Sequence, residues 1–189
     1  MNDGIWELLA GRRNVGLRRL DAPGPDDESL HRLLAAAAQA PDHGQVHPWR
    51  FIRIPAHRRP DLGEVFVEAL AQREPGSDEA DRAAAYRKAF HAPCLLVAVC
   101  VDDPDAGAIA TEEKLVSLGC AIQNMLLAAQ ALGFASGLAS GGALDSPAMR
   151  RLLRLDAHER AICFIGFGSA APAKAPRQRP APESFFSTL

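Results

Sequence analysis

Apolar positions recur along the chain in two rhythms. Between residues 109 and 132 they fall at helical spacing, with Leu115, Leu118, Ile122, Met125, Leu126, Ala129 and Leu132 on one stripe. Val116, Ala121, Leu127 and Ala128 add apolar character on other faces. A helix apolar all round belongs in the middle of something. In a chain of 189 residues, that suggests a subunit interface as well as a core. Shorter stripes predict helices over residues 3–11, 28–40 and 60–72, and residues 78–90 read as a polar, alanine-rich surface helix. The second rhythm is continuous. Residues 93–101 and 161–168 are nearly all apolar, as in strands buried on both faces. Residues 50–54 add a short strand, and the small-residue run 133–142 contains another.

Punctuation supports these elements. Asn2 or Asp3 can cap the first helix and Gly11 suits its exit. Asp26 or Asp27 caps the second, and Pro41 ends it by pushing its predecessor out of the α region. Ser146-Pro147 opens a helix to about residue 155. Residues 170–182, rich in proline, alanine and basic side chains including Lys174, read as an extended arm. Phe185 and Phe186 end the chain with aromatics that want a surface to cover them. The elements read as one domain over residues 1–189, with 170–189 as a C-terminal arm.

Composition removes several function classes. Hydrophobic content of 48% and charged content of 23% are those of a soluble globular protein. A net charge of −2 gives no case for nucleic acid or an anionic membrane as partner. The apolar runs are too short to span a bilayer, and the start shows no signal-peptide pattern, so the expected location is cytoplasmic. Cys94, Cys100, Cys120 and Cys163 sit in apolar runs without a C-x-x-C pair, which reads as buried free thiols. The six histidines lack zinc spacing.

Candidate chemistry concentrates in residues 40–51, where two prolines, a glycine, two histidines and an amide are packed between a helix and a strand. Such a connection hangs polar groups on a scaffold, as ligand loops do; an ordinary αβ connection with Trp49 as a core plug is the plainer alternative. Asp42 and His43 are adjacent in a turn and should point apart. Arg12 and Arg13 have no acidic neighbour in sequence. They read either as a solvated helix end or as a phosphate clamp. The small residues at 133–142 let a backbone approach a flat ligand or pack tightly on the long helix. Glu112, Glu113 and Lys114 read as a charged first turn, or as groups at a site mouth.

Pro41-Asp42-His43, followed after four residues by Pro48-Trp49, with Arg12-Arg13-Asn14 upstream, resembles the nitroreductase family of flavin enzymes, in particular its compact YdjA-like branch. The resemblance runs from Ile5 to about Phe186. It implies an α+β fold with a central, mostly antiparallel sheet flanked by helices, and a homodimer in which the C-terminal segment is exchanged. It implies FMN at the interface, reduced by NADH or NADPH in a ping-pong cycle, with nitroaromatics, quinones or similar small molecules as acceptors. Arg12, Arg13 and Asn14 would grip the phosphate and ribityl chain, Asn14 standing where the family has serine. Gln39, His43 and Gln45 would contact the flavin, as would Leu138, Ala139 and Ser140; Leu138 and Ala139 depart from the branch's Trp-Arg. Arg177 or Arg179 would reach the phosphate. No protein acid, base or nucleophile is implied, because the flavin carries the electrons. The departure at Leu138-Ala139 keeps open a flavin-binding storage or sensing module, or a reduced-flavin enzyme with another acceptor.

Overall fold

The computed structural model of the chain describes residues 3–104, 107–171 and 179–189. At its centre lies the strand whose pattern is apolar on both faces, β2 (Cys94–Val101). It pairs antiparallel with β1 (Trp49–Arg53) on one side and β4 (Glu159–Gly168) on the other. β3 (Ala135–Ala139) adds to the outer edge of β4, giving the order β1-β2-β4-β3 with every pairing antiparallel. The fold is α+β with an antiparallel sheet, as the resemblance implies.

Successive side chains of β2 point to opposite faces, so each face needs its own cover. On one face Leu96 and Ala98 meet α2 (Asp27–Ala37) and α5 (Thr111–Ala131), through Leu33, Ala37, Leu118 and Met125. On the other, Leu95, Val97 and Val99 meet α3 (Arg59–Arg73) and α6 (Pro147–Leu153), through Leu62, Val65 and Met149. Alternate residues of one strand therefore feed two separate cores. Trp49 packs against the first of them, as its reading as a plug requires. Cys94, Cys100 and Cys163 are buried and unpaired; burial pushes the Cys163 thiol up to about 11.

Boundaries differ from the sequence pattern where polar atoms intervene. α2 stops at Ala37 rather than residue 40, because Gln39 and Ala40 donate to carbonyls three residues back in a tightened last turn. β4 begins two residues early: Glu159 and Arg160 pair with Val101 and Cys100, and the buried Glu159 carboxylate receives Arg50 through two bonds of 2.7 and 2.6 Å. α6 stops at Leu153 because Arg154 takes a left-handed conformation. α4 (Glu79–Arg87) has the capping box of Asp78 with Asp81 at its start. Of the alternative caps, Asp26 is the one that receives Ser29 N–H. No described helix is long and apolar enough to cross a membrane.

α1 (Asp3–Gly11) buries none of its residues and leaves Ile5, Trp6 and Leu9 exposed. It is tied to the end of α5 by Gln130 Nε2, which donates to Leu8 O at 3.0 Å. Beyond it, Val15 N–H donates to Ser136 O at 2.9 Å, and Asn14 bridges Ser136 in parallel. This short segment covers β3, and the approach is possible only because residue 137 has no side chain: a Cβ there would lie 1.8 Å from Val15 O. Gly137→Ala is expected to cost about 2–4 kcal/mol by forcing the segment off the strand, measured as a lower midpoint in urea denaturation.

Candidate functional site

The sequence-predicted site residues fall into two groups. Arg12, Arg13 and Asn14 follow α1 directly. The Asn14 carboxamide oxygen accepts Leu138 N–H at 2.8 Å, which brings the turn against Leu138, Ala139 and Ser140 at the end of β3. The Arg13 guanidinium donates to Arg12 O at 3.1 Å and also to Ala10 O. Arg179 arrives from the chain's far end and donates to the same Arg12 O at 3.2 Å. Among the described residues no carboxylate pairs with Arg12, Arg13 or Arg179. The guanidinium groups of Arg13 and Arg179 thus meet at the Arg12 carbonyl without a counter-ion among the described residues, an arrangement that suits a phosphate. Arg177 and Lys174 lie outside the described residues.

Within two residues of the Asn14–Leu138 contact, on both segments, a cavity of about 360 Å³ begins. Gly16 and Leu17 form one wall, Ala139 to Ala143 another, and Phe66, Leu70 and Phe164 an apolar floor. Gly16, Gly141 and Gly142 line it, and a Cβ on any of them would meet nothing within 4 Å. These glycines leave space, whereas Gly137 admits a neighbouring backbone. The closest approach in the small-residue run is therefore Gly137 against Val15 of the N-terminal segment, not against the long helix. The charged groups on the cavity wall are all basic: Arg18, Arg73 and Lys88, joined by His91. Arg73 is spoken for by Glu74 at 2.8 Å. Burial, then the charges of Arg18 and Lys88, hold the His91 imidazole below its ordinary value, which favours the neutral ring. Arg18, Lys88 and His91 were not singled out by sequence; basic residues next to helices read as solvated surface, and only the fold brings them to one wall.

Gln39, His43 and Gln45 form the second group, at the other end of α5. His43 Nδ1 lies 2.6 Å from Glu113 Oε2. With the carboxylate accepting, Nδ1 carries the proton and Nε2 is left free. Asp42 turns away from His43. Its Oδ2 accepts His47 N–H at 2.7 Å, while Oδ1 is buried with no partner among the described residues. Gly44, Gln45 and His47 all take positive φ, at 70°, 55° and 48°. For Gln45 and His47 that is strained backbone of a kind found at ligand loops. Gln39, His43 and Gln45 are exposed. From Glu113, beside His43, to Gln130, beside α1, is 17 residues of α5, about 25 Å at 1.5 Å per residue. The two groups of one chain do not meet.

Glu113 sits on a fixed helix start. The Lys114 side chain is 3% exposed and donates to Asp102 Oδ1 at 2.6 Å, and Thr111 Oγ1 donates to Asp102 Oδ2 at 2.6 Å. The charged first turn expected from sequence is thus a buried tie to the end of β2. It holds the Asp102 carboxyl below the usual carboxylate range, through Lys114 first and Thr111 second.

A sequence profile described as the Nitroreductase family matches residues 9–169. The chain is 32% identical, over 164 residues and 86% of each protein, to the candidate NAD(P)H nitroreductase YdjA of Escherichia coli strain K12. It is 30% identical over 177 residues, 88% of this chain and 82% of the relative, to a 5,6-dimethylbenzimidazole synthase of Rhodospirillum rubrum. A crystal structure of a nitroreductase with bound FMN from Bacteroides fragilis superposes with a TM-score of 0.72 at 22% identity, covering 98% of both chains.

The Asp102 tie has a testable pH signature. A carboxyl whose folded value is depressed stabilises the fold above its unfolded value, near 3.9, and loses that contribution as pH falls through the lower folded value. Asp102→Asn is expected to cost about 1–2 kcal/mol at pH 7, less than for a fully buried pair because Asp102 is 41% exposed. In denaturant titrations the gap from the wild type should narrow as pH falls below about 4.

Proposed function

The chain belongs to the nitroreductase family, a family of NAD(P)H-dependent oxidoreductases, and from that premise we propose that it binds FMN and passes reducing equivalents from NADH or NADPH to a small acceptor such as a nitroaromatic or a quinone. One observation carries the reading: the guanidinium groups of Arg13 and Arg179 meet at the Arg12 carbonyl without a counter-ion among the described residues, close in sequence to an apolar cavity whose charged wall groups are all basic. FMN has that shape of charge, a dianionic phosphate joined to a flat ring. The residues present fit it. Arg12, Arg13 and Arg179 would hold the phosphate, and the space left by Gly16, Gly141 and Gly142 would receive the ring. Leu138 and Ala139 would offer backbone and Ser140 its hydroxyl. Bound there, FMN would accept a hydride from the nicotinamide and give it up to the acceptor in a second half-reaction. Lys88 and Arg18 would offset negative charge gathering on the ring.

The second group of residues supports a site built by two chains. Gln39, His43 and Gln45 stand about 25 Å along α5 from the arginine turn of their own chain, so one chain supplies the phosphate clamp and a second copy the histidine loop. Apolar side chains left uncovered in one chain point the same way: Ile5 and Trp6 on α1, Val116 on α5, and Phe185 and Phe186 at the C-terminus. Exchange of the C-terminal arm would cover the last two. Glu113, by taking Nδ1 of His43, would present Nε2 to the flavin.

The similarity to a 5,6-dimethylbenzimidazole synthase favours a second reading, in which the reduced flavin serves a reaction other than transfer to an external acceptor.

An anaerobic visible spectrum of the protein with FMN, before and after NADH and then NADPH, tests the proposal. The expected result is a bound flavin that one of the two bleaches and that an added quinone or nitroaromatic restores. Bound flavin that neither donor bleaches would replace the reductase with a binding module. A bleached flavin that no such acceptor restores would favour the second reading, and absence of binding would overturn the site.

Gly141→Val examines the cavity itself. Gly141 is in extended backbone, φ 166° and ψ 164°, and a Cβ meets nothing, so the variant should fold with wild-type stability. Its side chain occupies the space assigned to the ring, and FMN affinity measured by fluorescence quenching should fall at least about tenfold.

A further inference from the structure

Arg59 is a buried cation without an anion. It is 5% exposed, and among the described residues no carboxylate pairs with it. Four backbone carbonyls take its place. Nε donates to Ile54 O at 2.9 Å, Nη1 to Ala89 O at 2.7 Å and His91 O at 3.1 Å, and Nη2 to Ala92 O at 3.2 Å. Three of the four belong to the connection between α4 and β2. That connection is strained: Ala92 has φ 61°, a left-handed conformation that costs a non-glycine residue about 1–2 kcal/mol. It also carries two of the cavity's polar groups, Lys88 and His91.

An apolar side chain of similar length would fill the same space without burying a charge. It would leave the carbonyls of Ala89, His91 and Ala92 without donors and the left-handed turn without a lock. What the guanidinium supplies is therefore directional: a planar fork with several donors that fixes the path of residues 88–92. We propose that Arg59 is a positioning residue for the cavity, holding that turn so that the Lys88 ammonium stands at the wall where the flavin ring is received. The inference rests on the reading of the cavity as a flavin site. Arg59 touches no ligand in this arrangement; it acts through Lys88.

The test separates position from charge. FMN affinity, by quenching of flavin fluorescence, and the midpoint potential of the bound flavin, by dye-coupled anaerobic reduction, are measured for the wild type, Lys88→Met, Arg59→Lys and the double variant. Lys88→Met is expected to weaken binding of the reduced form about tenfold more than that of the oxidised form, which lowers the potential by about 30 mV for a two-electron couple. Arg59→Lys keeps the buried charge but cannot reach all four carbonyls. It should lower the potential in the same direction by a smaller amount, and add nothing in the Lys88→Met background.

A wild-type potential and affinity in Arg59→Lys would overturn the proposal, and so would a shift of undiminished size once Lys88 is gone. Should Arg59→Lys fail to fold, the same substitution in an Ala92→Gly background decides. Glycine relieves the left-handed strain while the fork of Arg59 is still lost, so the combined variant is expected to fold with the turn freed. The same downward shift supports the proposal and an unchanged potential sinks it. Wild-type protein that binds no FMN would defeat the cavity reading, and this inference with it, before any variant is compared.

Discussion

The site depends on the absence of one side chain. Gly137 lets the backbone at Val15 pass closer to β3 than any Cβ would permit, and the Val15–Ser136 and Asn14–Leu138 bonds hold it there. Everything the N-terminal region brings to the site follows from that approach. The arginine turn ends beside Ala139, Gly16 and Leu17 become a wall, and the start of the chain is fastened to the edge of the sheet. Arg179, reaching Arg12 O from the opposite terminus, completes a junction where both ends of the sequence meet one strand.

Two buried cations show how differently the same cost is met. Lys114 is matched by an anion, Asp102, whose other oxygen is taken by Thr111. Among the described residues, Arg59 is matched by carbonyl dipoles and by no carboxylate. The first arrangement joins a strand end to a helix start and stiffens the base on which Glu113 and His43 stand. The second shapes the connection between α4 and β2, which opens on a short 3-10 helix over Lys88–Phe90 and then takes the left-handed turn at Ala92. Each turns a desolvation penalty into a fixed backbone path, one leading to His43 and the other to the part of the cavity wall formed by Lys88 and His91.

The architecture was legible wherever burial leaves a periodic trace. β2, β4 and α5 are marked by apolar runs that polar surface would interrupt, and Asp26 and Ser146 by cap chemistry that acts within three residues. The limits of legibility have the same physical origin. Glu159 is charged and belongs to a strand because Arg50, 109 residues earlier, neutralises it. Lys114 looks like solvated surface because its partner is on another element. Arg59 and Lys88 carry no local signal, since the carbonyls of a turn leave no mark on side-chain identity. The arginine turn and the histidine loop, by contrast, could be picked out because their short spacings resemble a known family. That resemblance could not show that the two lie at opposite ends of one helix.

Under the proposed two-chain site, that separation has a consequence for the protein in solution. A cofactor held between two copies is bound in proportion to how many copies are paired, so occupancy follows total protein concentration as well as free FMN. Dilution would shed flavin and subunits together, and flavin would hold the subunits together in return. Two chains damaged in different halves, one in the arginine turn and one in the histidine loop, would still assemble one intact site out of two. Under the proposed assembly, α5 is thus a ruler that converts a single-chain property, the length of a helix, into mutual dependence between partners.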